Sequence, residues 1–177
     1  LHTDVLVLTV DLTCLDSDSL DRIAEGFVPI EMAEGTKSFV DFRCLDHHND
    51  YSHLPSACVT ALEFYGTLGA DRPARLMVNH TDADSVLTGV TLLGLLPRDL
   101  LEKLNPEVGL LDTDPLSVDF EDLLYGNAIH LWKVGMMSTK KSGWSWLYGM
   151  QLCLDIFDHF TYYKGTIDEL EKRENGR

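Results

Sequence analysis

The sequence predicts an α/β domain with a mostly parallel sheet flanked by helices. Short apolar segments rich in β-branched residues alternate with longer segments of helical period through most of the chain, and this order is typical of α/β folds. The chain has 177 residues, of which 45% are hydrophobic, so it can bury one core of ordinary size. We therefore expect a single domain over residues 1–165, followed by a polar tail over 166–177.

The first half of the chain contains two predicted strands, each followed by a predicted helix. Residues 4–12 form a short run rich in Val and Leu, and cap-type residues then introduce a helical pattern over 16–27. Residues 38–45 alternate in polarity and indicate a second strand. Residues 54–69 have the length and the apolar spacing of a helix.

The second half continues the alternation and ends in helices. Residues 74–79 are short and apolar and predict a third strand, and 82–97 predict a helix with a strongly apolar face. A fourth short strand is expected within 105–115, between turn signals. Helical patterns follow over 118–134 and 144–165, and the aromatic, apolar part of the latter is a candidate homodimer surface.

The charge of the chain narrows the class of its partners. The formal net charge is −15, with 29 acidic residues against 14 Lys and Arg. Such a chain repels long nucleic acids and anionic membranes on average. A small anionic substrate remains compatible with this charge if metal ions neutralise the binding site locally.

Cysteine spacing and hydropathy bear on the compartment. No pair of the four cysteines has the C-x-x-C spacing of a zinc knuckle or a thioredoxin-type motif, and their neighbours are mostly apolar. No apolar run reaches the roughly 18 residues of a membrane span, and the first residues lack the layout of a signal peptide. These features favour reduced, buried cysteines and a cytoplasmic protein.

Three clusters of acidic and histidine residues stand out, and each directly follows a predicted strand. The clusters are Asp46-His47-His48, His80-x-Asp82-x-Asp84 and Asp112-x-Asp114. The carboxyl ends of parallel strands meet at one edge of a sheet, so we expect the clusters to share a crevice. Carboxylates and imidazoles suit divalent ions such as Mn²⁺, and two such ions can activate water and clamp a phosphoryl group.

Each cluster also has a simpler interpretation. The segment around His47 and His48 is compatible with a polar surface loop. Asp82 or Asp84 would serve equally well as the N-cap of the following helix. Asp112 stands in a segment typical of a turn.

The segments "LDHH", "VNHTDADSVLTG" and "GLLDTDP" together resemble motifs of the DHH phosphoesterase superfamily, which includes manganese-dependent pyrophosphatases, exopolyphosphatases and exonucleases. The resemblance implies a set of metal ligands around two Mn²⁺ ions, with Asp112 bridging them. The remaining ligands that it implies are His80, Asp82 and Asp84, together with Asp46 and His47 or His48.

The motifs occur in a different order from that of the superfamily. There the His-x-Asp-x-Asp motif comes first, whereas here "DHH" precedes it. Either the fold is circularly permuted, or a related parallel sheet carries the clusters in a new order. The second domain of the superfamily, with its glycine-rich motif, has no counterpart in residues 118–177.

These observations lead to one functional hypothesis and one rival. The hypothesis is a divalent-metal-dependent hydrolase that cleaves a phosphoester or phosphoanhydride with a metal-activated water, assisted by His47 or His48 as ligand or general acid. Lys140 and Lys141, in a loop before a helix N-terminus, are candidates for binding the phosphate, although a solvated loop explains them equally well. The rival is a non-catalytic α/β protein with at most a structural metal, and a metal hydrolase with a non-phosphate substrate is a third reading.

Overall fold

A computed structural model describes about half of the chain. The described residues are 6–9, 16, 18–19, 22, 26–32, 45–48, 51–64, 75–79 and 82–118. They contain three strands and three helices: β1 (Leu6–Thr9), β2 (Val28–Ile30), α1 (Ala57–Phe64), β3 (Arg75–Val78), α2 (Ala83–Leu93) and α3 (Arg98–Thr113). Within this part of the chain no helix has the length and apolar character needed to cross a bilayer.

The three strands form one parallel sheet in the order β1-β3-β2. Thr9 and Ile30 both pair with Val78, so the three strands end side by side at the same edge. The central strand β3 is buried from Leu76 to Val78, as a parallel strand covered on its faces must be. The prediction of an α/β fold with a parallel sheet is confirmed for the described residues.

Helix α2 lies at the centre of the helical layer. Its residues 83–92 are all buried, and it contacts β2 and both other helices. It begins at the N-cap Asp82 and ends at Gly94, whose φ of 63° lies in the left-handed region that glycine tolerates best. The predicted helix over 82–97 is therefore present, and its last helical residue, Leu93, lies four residues before the predicted end.

The prediction of a fourth strand within 105–115 is wrong, because residues 105–113 belong to α3. Pro106 suggested a turn, yet it sits inside the helix with its ring exposed. The buried apolar residues of the segment recur at helical spacing rather than in alternation: Leu100, Leu101, Leu104, Val108 and Leu111. The helical period therefore prevails over the local turn signal of the proline.

Strand β2 was not predicted from the sequence, because Val28–Ile30 is only three residues long and includes Pro29. Residues 38–44 of the second predicted strand lie outside the described residues, as do half of the predicted helix 16–27, the end of the predicted helix 54–69 and all of 119–177.

Helices α1 and α3 pack unusually close together at Gly109. A Cβ atom at this position would lie 2.5 Å from the Ser56 Oγ and 2.9 Å from the Val59 Cγ2. Both distances are shorter than van der Waals contact, so only glycine allows this approach of the two helices. The contact holds the C-terminal half of α3 against the start of α1.

We predict that Gly109→Ala destabilises the fold, because the added methyl group would force α1 and α3 apart. The expected loss in the free energy of unfolding is about 1–3 kcal/mol, as for other overpacking substitutions. Urea unfolding followed by circular dichroism measures it. Lys103→Ala, at an exposed position of the same helix, is the control and should change the stability by less than about 0.5 kcal/mol. Equal stability of the two variants would contradict the close packing.

Candidate metal centre

Four side chains from separate segments converge at one point. Glu31, His47, Asp84 and Asp112 each offer one ligand atom, and these atoms all lie within 4.8 Å of one another. The side chains of Glu31 and Asp84 are fully buried, whereas His47 is 11% and Asp112 is 19% exposed. The cluster is therefore closed on the side of Glu31 and Asp84 and opens toward solvent at Asp112.

Glu31 reaches the cluster from the end of β2. It directly follows Ile30 at the carboxyl edge of the sheet, with a φ of 53°. Left-handed backbone is costly for a residue with a Cβ atom and is retained mainly where the surrounding structure requires it. The backbone N–H of Glu31 donates to the carbonyl of Leu45 at 2.6 Å. This bond places the Asp46-His47-His48 segment beside the end of β2.

His47 is the centre of the cluster. Its Nε2 atom lies 2.7 Å from the Asp112 Oδ2 and 3.7 Å from oxygens of both Glu31 and Asp84. Although Nε2 is buried, it has no partner in hydrogen-bond geometry among the described residues, since the short contact to Asp112 is not aligned with the ring N–H direction. The nitrogen is thus surrounded by carboxylate oxygens but makes no aligned hydrogen bond to them. Metal ligands that point toward one shared cation have this arrangement.

The carboxylates around His47 favour its protonated form. The adjacent Asp112 carboxylate and then Glu31 raise the pKa of His47 from 6.5 to about 10, against the opposing effect of burial. In the metal-free protein at neutral pH, His47 is therefore an imidazolium that partly balances the acidic residues. A cation that binds here must displace this proton.

Asp84 connects the cluster to the first turn of α1. Its two oxygens accept hydrogen bonds from the backbone N–H groups of Ala57 and Cys58, both at 2.8 Å. Burial, and then the charges of Glu31 and Asp82, raise the pKa of the Asp84 carboxyl well above its usual range. The two backbone donors hold the carboxylate in one orientation, with Oδ2 facing His47.

Asp46 and His48 form a pair beside the cluster. The Asp46 carboxylate is buried, and its Oδ1 accepts the backbone N–H of His48 and contacts the Nδ1 of the same residue, both at 2.8 Å. An ionised carboxylate only accepts hydrogen bonds, so this contact places a proton on Nδ1. The His48 side chain is 46% exposed and also forms a group with Glu31 and His47 whose ligand atoms lie within 4.8 Å of one another.

The two acids of the predicted Asp82-x-Asp84 motif have different roles. Asp82 is the N-cap of α2: its side chain accepts the backbone N–H of Ser85 at 2.8 Å, and the Ser85 hydroxyl in turn accepts the N–H of Asp82. Among the described residues, the groups that could hold a metal include Asp84 but not Asp82. The capping interpretation of the motif applies to Asp82, and the ligand interpretation suits Asp84.

The structure brings three of the predicted metal ligands together in the four-residue cluster, namely His47, Asp84 and Asp112. A fourth, His48, lies in the overlapping group with Glu31 and His47. It places Asp46 and Asp82 in supporting hydrogen bonds next to them. Outside the described residues lie the predicted ligand His80 and the predicted phosphate-binding pair, Lys140 and Lys141.

Glu31 was missed by sequence reasoning. A signal for it exists, because the acid directly follows the apolar run Phe27–Ile30 and precedes Met32. An acid at the end of a strand was the criterion applied to the other clusters. Because β2 was not predicted, Glu31 at its end was not predicted as a ligand either.

The four residues form a donor set that can hold a divalent metal ion. Three carboxylates and one imidazole match the ligand preferences of hard and borderline ions. They also concentrate negative charge in a largely buried place, which costs stability unless a cation or a proton compensates it.

Comparison of the chain with protein-family models, with curated proteins and with solved structures finds no match.

We predict that Asp82→Ala weakens the fold without removing metal binding. Loss of the N-cap should lower the free energy of unfolding by about 1 kcal/mol, whereas the Mn²⁺ dissociation constant should stay within about threefold of wild type. Asp84→Ala is the matched comparison and should abolish Mn²⁺ binding. Urea unfolding and calorimetric titration measure the two quantities. If Asp82→Ala abolished metal binding at unchanged stability, Asp82 would be a ligand rather than a cap.

The raised pKa of His47 predicts a pH dependence of the metal-free protein. Protonated His47 stabilises the folded state, so its contribution is complete below about pH 6.5 and is lost as the pH rises through about 10. The loss should not exceed about 1.4 kcal/mol per pH unit for this single proton. Urea unfolding in EDTA from pH 6 to 10 should show wild type converging on His47→Gln. Parallel curves for the two proteins would contradict the raised pKa.

Proposed function

We propose that this protein is a divalent-metal-dependent hydrolase that cleaves a phosphoester or phosphoanhydride bond. The observation that carries the proposal is the convergence of Glu31, His47, Asp84 and Asp112 within 4.8 Å. Two of the four follow the sheet closely: Glu31 comes directly after β2, and Asp84 begins the helix after β3. Ligand sites in open α/β sheets occupy this edge.

The charge of the cluster supports a cation as its ligand. Three carboxylates face one imidazole, so even with His47 protonated the group retains an excess of negative charge. A bound divalent ion supplies Lewis acidity, which lowers the pKa of water and stabilises the charge that develops in phosphoryl transfer. Without such a cation, the cluster would repel a phosphate substrate.

In the proposed reaction the side chains of the chain have two roles, which are to bind the ion and to transfer a proton. Glu31, His47, Asp84 and Asp112 hold the ion, and the hydrogen bonds of Asp84 to α1 fix the direction of its carboxylate. His48 stands at the exposed side of the cluster, oriented by Asp46. We assign to His48 the role of general acid, which donates a proton to the leaving oxygen.

Mn²⁺ is the ion that we propose, and two ions are the expected number. Mixed carboxylate and imidazole ligands suit Mn²⁺, although other divalent ions share this preference. The number of two comes from the resemblance of the motifs, because the group of Glu31, His47 and His48 shares two of its residues with the four-residue cluster and does not define a second site by itself. The resemblance of the three motifs to the DHH phosphoesterase superfamily points to the same metal chemistry.

A structural ion is the second candidate function, and one observation favours it. The side chains of Glu31 and Asp84 are fully buried, and both Asp84 oxygens already accept backbone hydrogen bonds. Closed sites of this kind stabilise folds, whereas catalytic sites keep a position open to solvent. The exposure of Asp112 and His48 supports the catalytic assignment.

We predict that the protein binds Mn²⁺ and hydrolyses a phosphoanhydride such as inorganic pyrophosphate or a phosphodiester such as bis(p-nitrophenyl) phosphate. Asp112→Ala should lower the Mn²⁺ affinity at least tenfold and abolish hydrolysis, because it removes the ligand nearest to His47. Elemental analysis and titration calorimetry measure metal binding, and release of phosphate from pyrophosphate or of p-nitrophenolate from the diester measures hydrolysis. Binding should strengthen by about tenfold per pH unit up to about pH 10, since the ion displaces the His47 proton.

Asp114→Ala is the matched control for Asp112→Ala. Asp114 is an exposed acid that ends the same helix, two residues from Asp112 and outside the cluster. Its substitution should leave metal binding and hydrolysis within about twofold. Tight Mn²⁺ binding without hydrolysis of either substrate would favour the structural ion, and the absence of any metal binding would refute both functions.

A further inference from the structure

One face of α3 carries three polar or small residues toward the rest of the fold. Asn105, Gly109 and Asp112 are four and then three residues apart, so they share a face of the helix. Asp112 belongs to the metal cluster, and Gly109 packs against Ser56 at the start of α1. Asn105 lies about 10 Å along the helix axis from Asp112, at 1.5 Å per residue.

Asn105 joins all three helices. It is fully buried, and its Nδ2 donates to the carbonyl of Cys58 at 2.7 Å and to the Thr91 Oγ1 at 3.0 Å. The Cys58 thiol returns a bond to the carbonyl of Asn105 at 3.5 Å. These contacts fix both the rotation of α3 about its axis and its position along α1, which apolar packing alone does not determine.

Cys58 is also one of the two residues whose backbone N–H binds Asp84. Its N–H donates to the Asp84 Oδ1 at 2.8 Å, while its carbonyl accepts from Asn105. The first turn of α1 therefore holds Asp84 directly and holds the helix that carries Asp112. Two of the three acids of the cluster, Asp84 and Asp112, are therefore connected to the same residue of α1.

We propose that Asn105 is a positioning residue of the metal centre, which sets the distance between Asp84 and Asp112 through Cys58. The inference rests on the proposed function, because it requires that the cluster binds a metal. The side-chain hydrogen bonds of Asn105 go to Cys58 and Thr91 and to none of the four ligands, so it acts through α3 and through the Cys58 backbone. A purely structural Asn105 would stabilise the core without affecting the geometry of the ligands.

The test compares Asn105→Leu with Leu101→Ala in the full chain. Asn105→Leu keeps most of the side-chain volume and removes both hydrogen bonds, whereas Leu101→Ala weakens the same helix at a buried position far from Asp112. Removing a group that orients metal ligands typically lowers affinity by about 10- to 100-fold. We expect a loss of that size for Mn²⁺ in Asn105→Leu and a change below about threefold in Leu101→Ala. The visible absorption of bound Co²⁺, which reports ligand geometry, should change only in Asn105→Leu.

Each outcome of this comparison either supports or overturns the positioning role of Asn105. If Asn105→Leu does not fold, Asn105→Ser, which leaves a smaller polar side chain, takes its place in the same comparison. Mn²⁺ affinity and Co²⁺ spectra like those of Leu101→Ala would overturn the positioning role and leave the metal centre intact. Failure of both Asn105 variants to fold, while Leu101→Ala folds, would assign Asn105 to the core alone. A wild-type chain that binds neither ion would overturn this inference together with the proposed function.

Discussion

The hydrogen bonds from Ala57 and Cys58 to Asp84 are the contact on which the rest of the site depends. The first N–H groups of a helix have no partner within it, and buried ones are costly to leave unpaired. Asp84 satisfies two of them from more than 25 residues away along the chain. Because Asp84 lies in the first turn of α2, the helix that follows β3, this contact locks α1 to the sheet edge. Three of the four ligands therefore lie at the ends of helices and strands, which are more rigid than loops. His47, the fourth, lies in the irregular segment 45–48.

The same contact concentrates charge in the interior. Burial and the nearby charges of Glu31 and Asp82 raise the pKa of the Asp84 carboxyl, so its ionised form opposes folding at neutral pH. The proton on His47 compensates part of this repulsion in the metal-free state. A divalent cation would replace one positive charge by two at the same place. A fold that retains such a cluster without need of a ligand would be less stable than one with apolar residues there.

Strands β1 and β3 and the central helix α2 could be predicted, because their signals are local. The apolar runs around β1 and β3 and the cap at Asp82 are sufficient to place them. Glu31 could not be predicted in the same way, since β2 is too short for alternation to be detected and contains a proline. Its position depends instead on the bond to the Leu45 carbonyl, a contact between segments that no local pattern encodes.

Asp112 was predicted as a ligand for a reason that the structure does not support. It was expected at the end of a strand, yet it lies in the last turn of α3. It still reaches His47 because Gly109, one turn earlier, allows α3 to approach the start of α1. The cluster is assembled from four segments by tertiary contacts, so its chemistry does not depend on the order of the motifs along the chain.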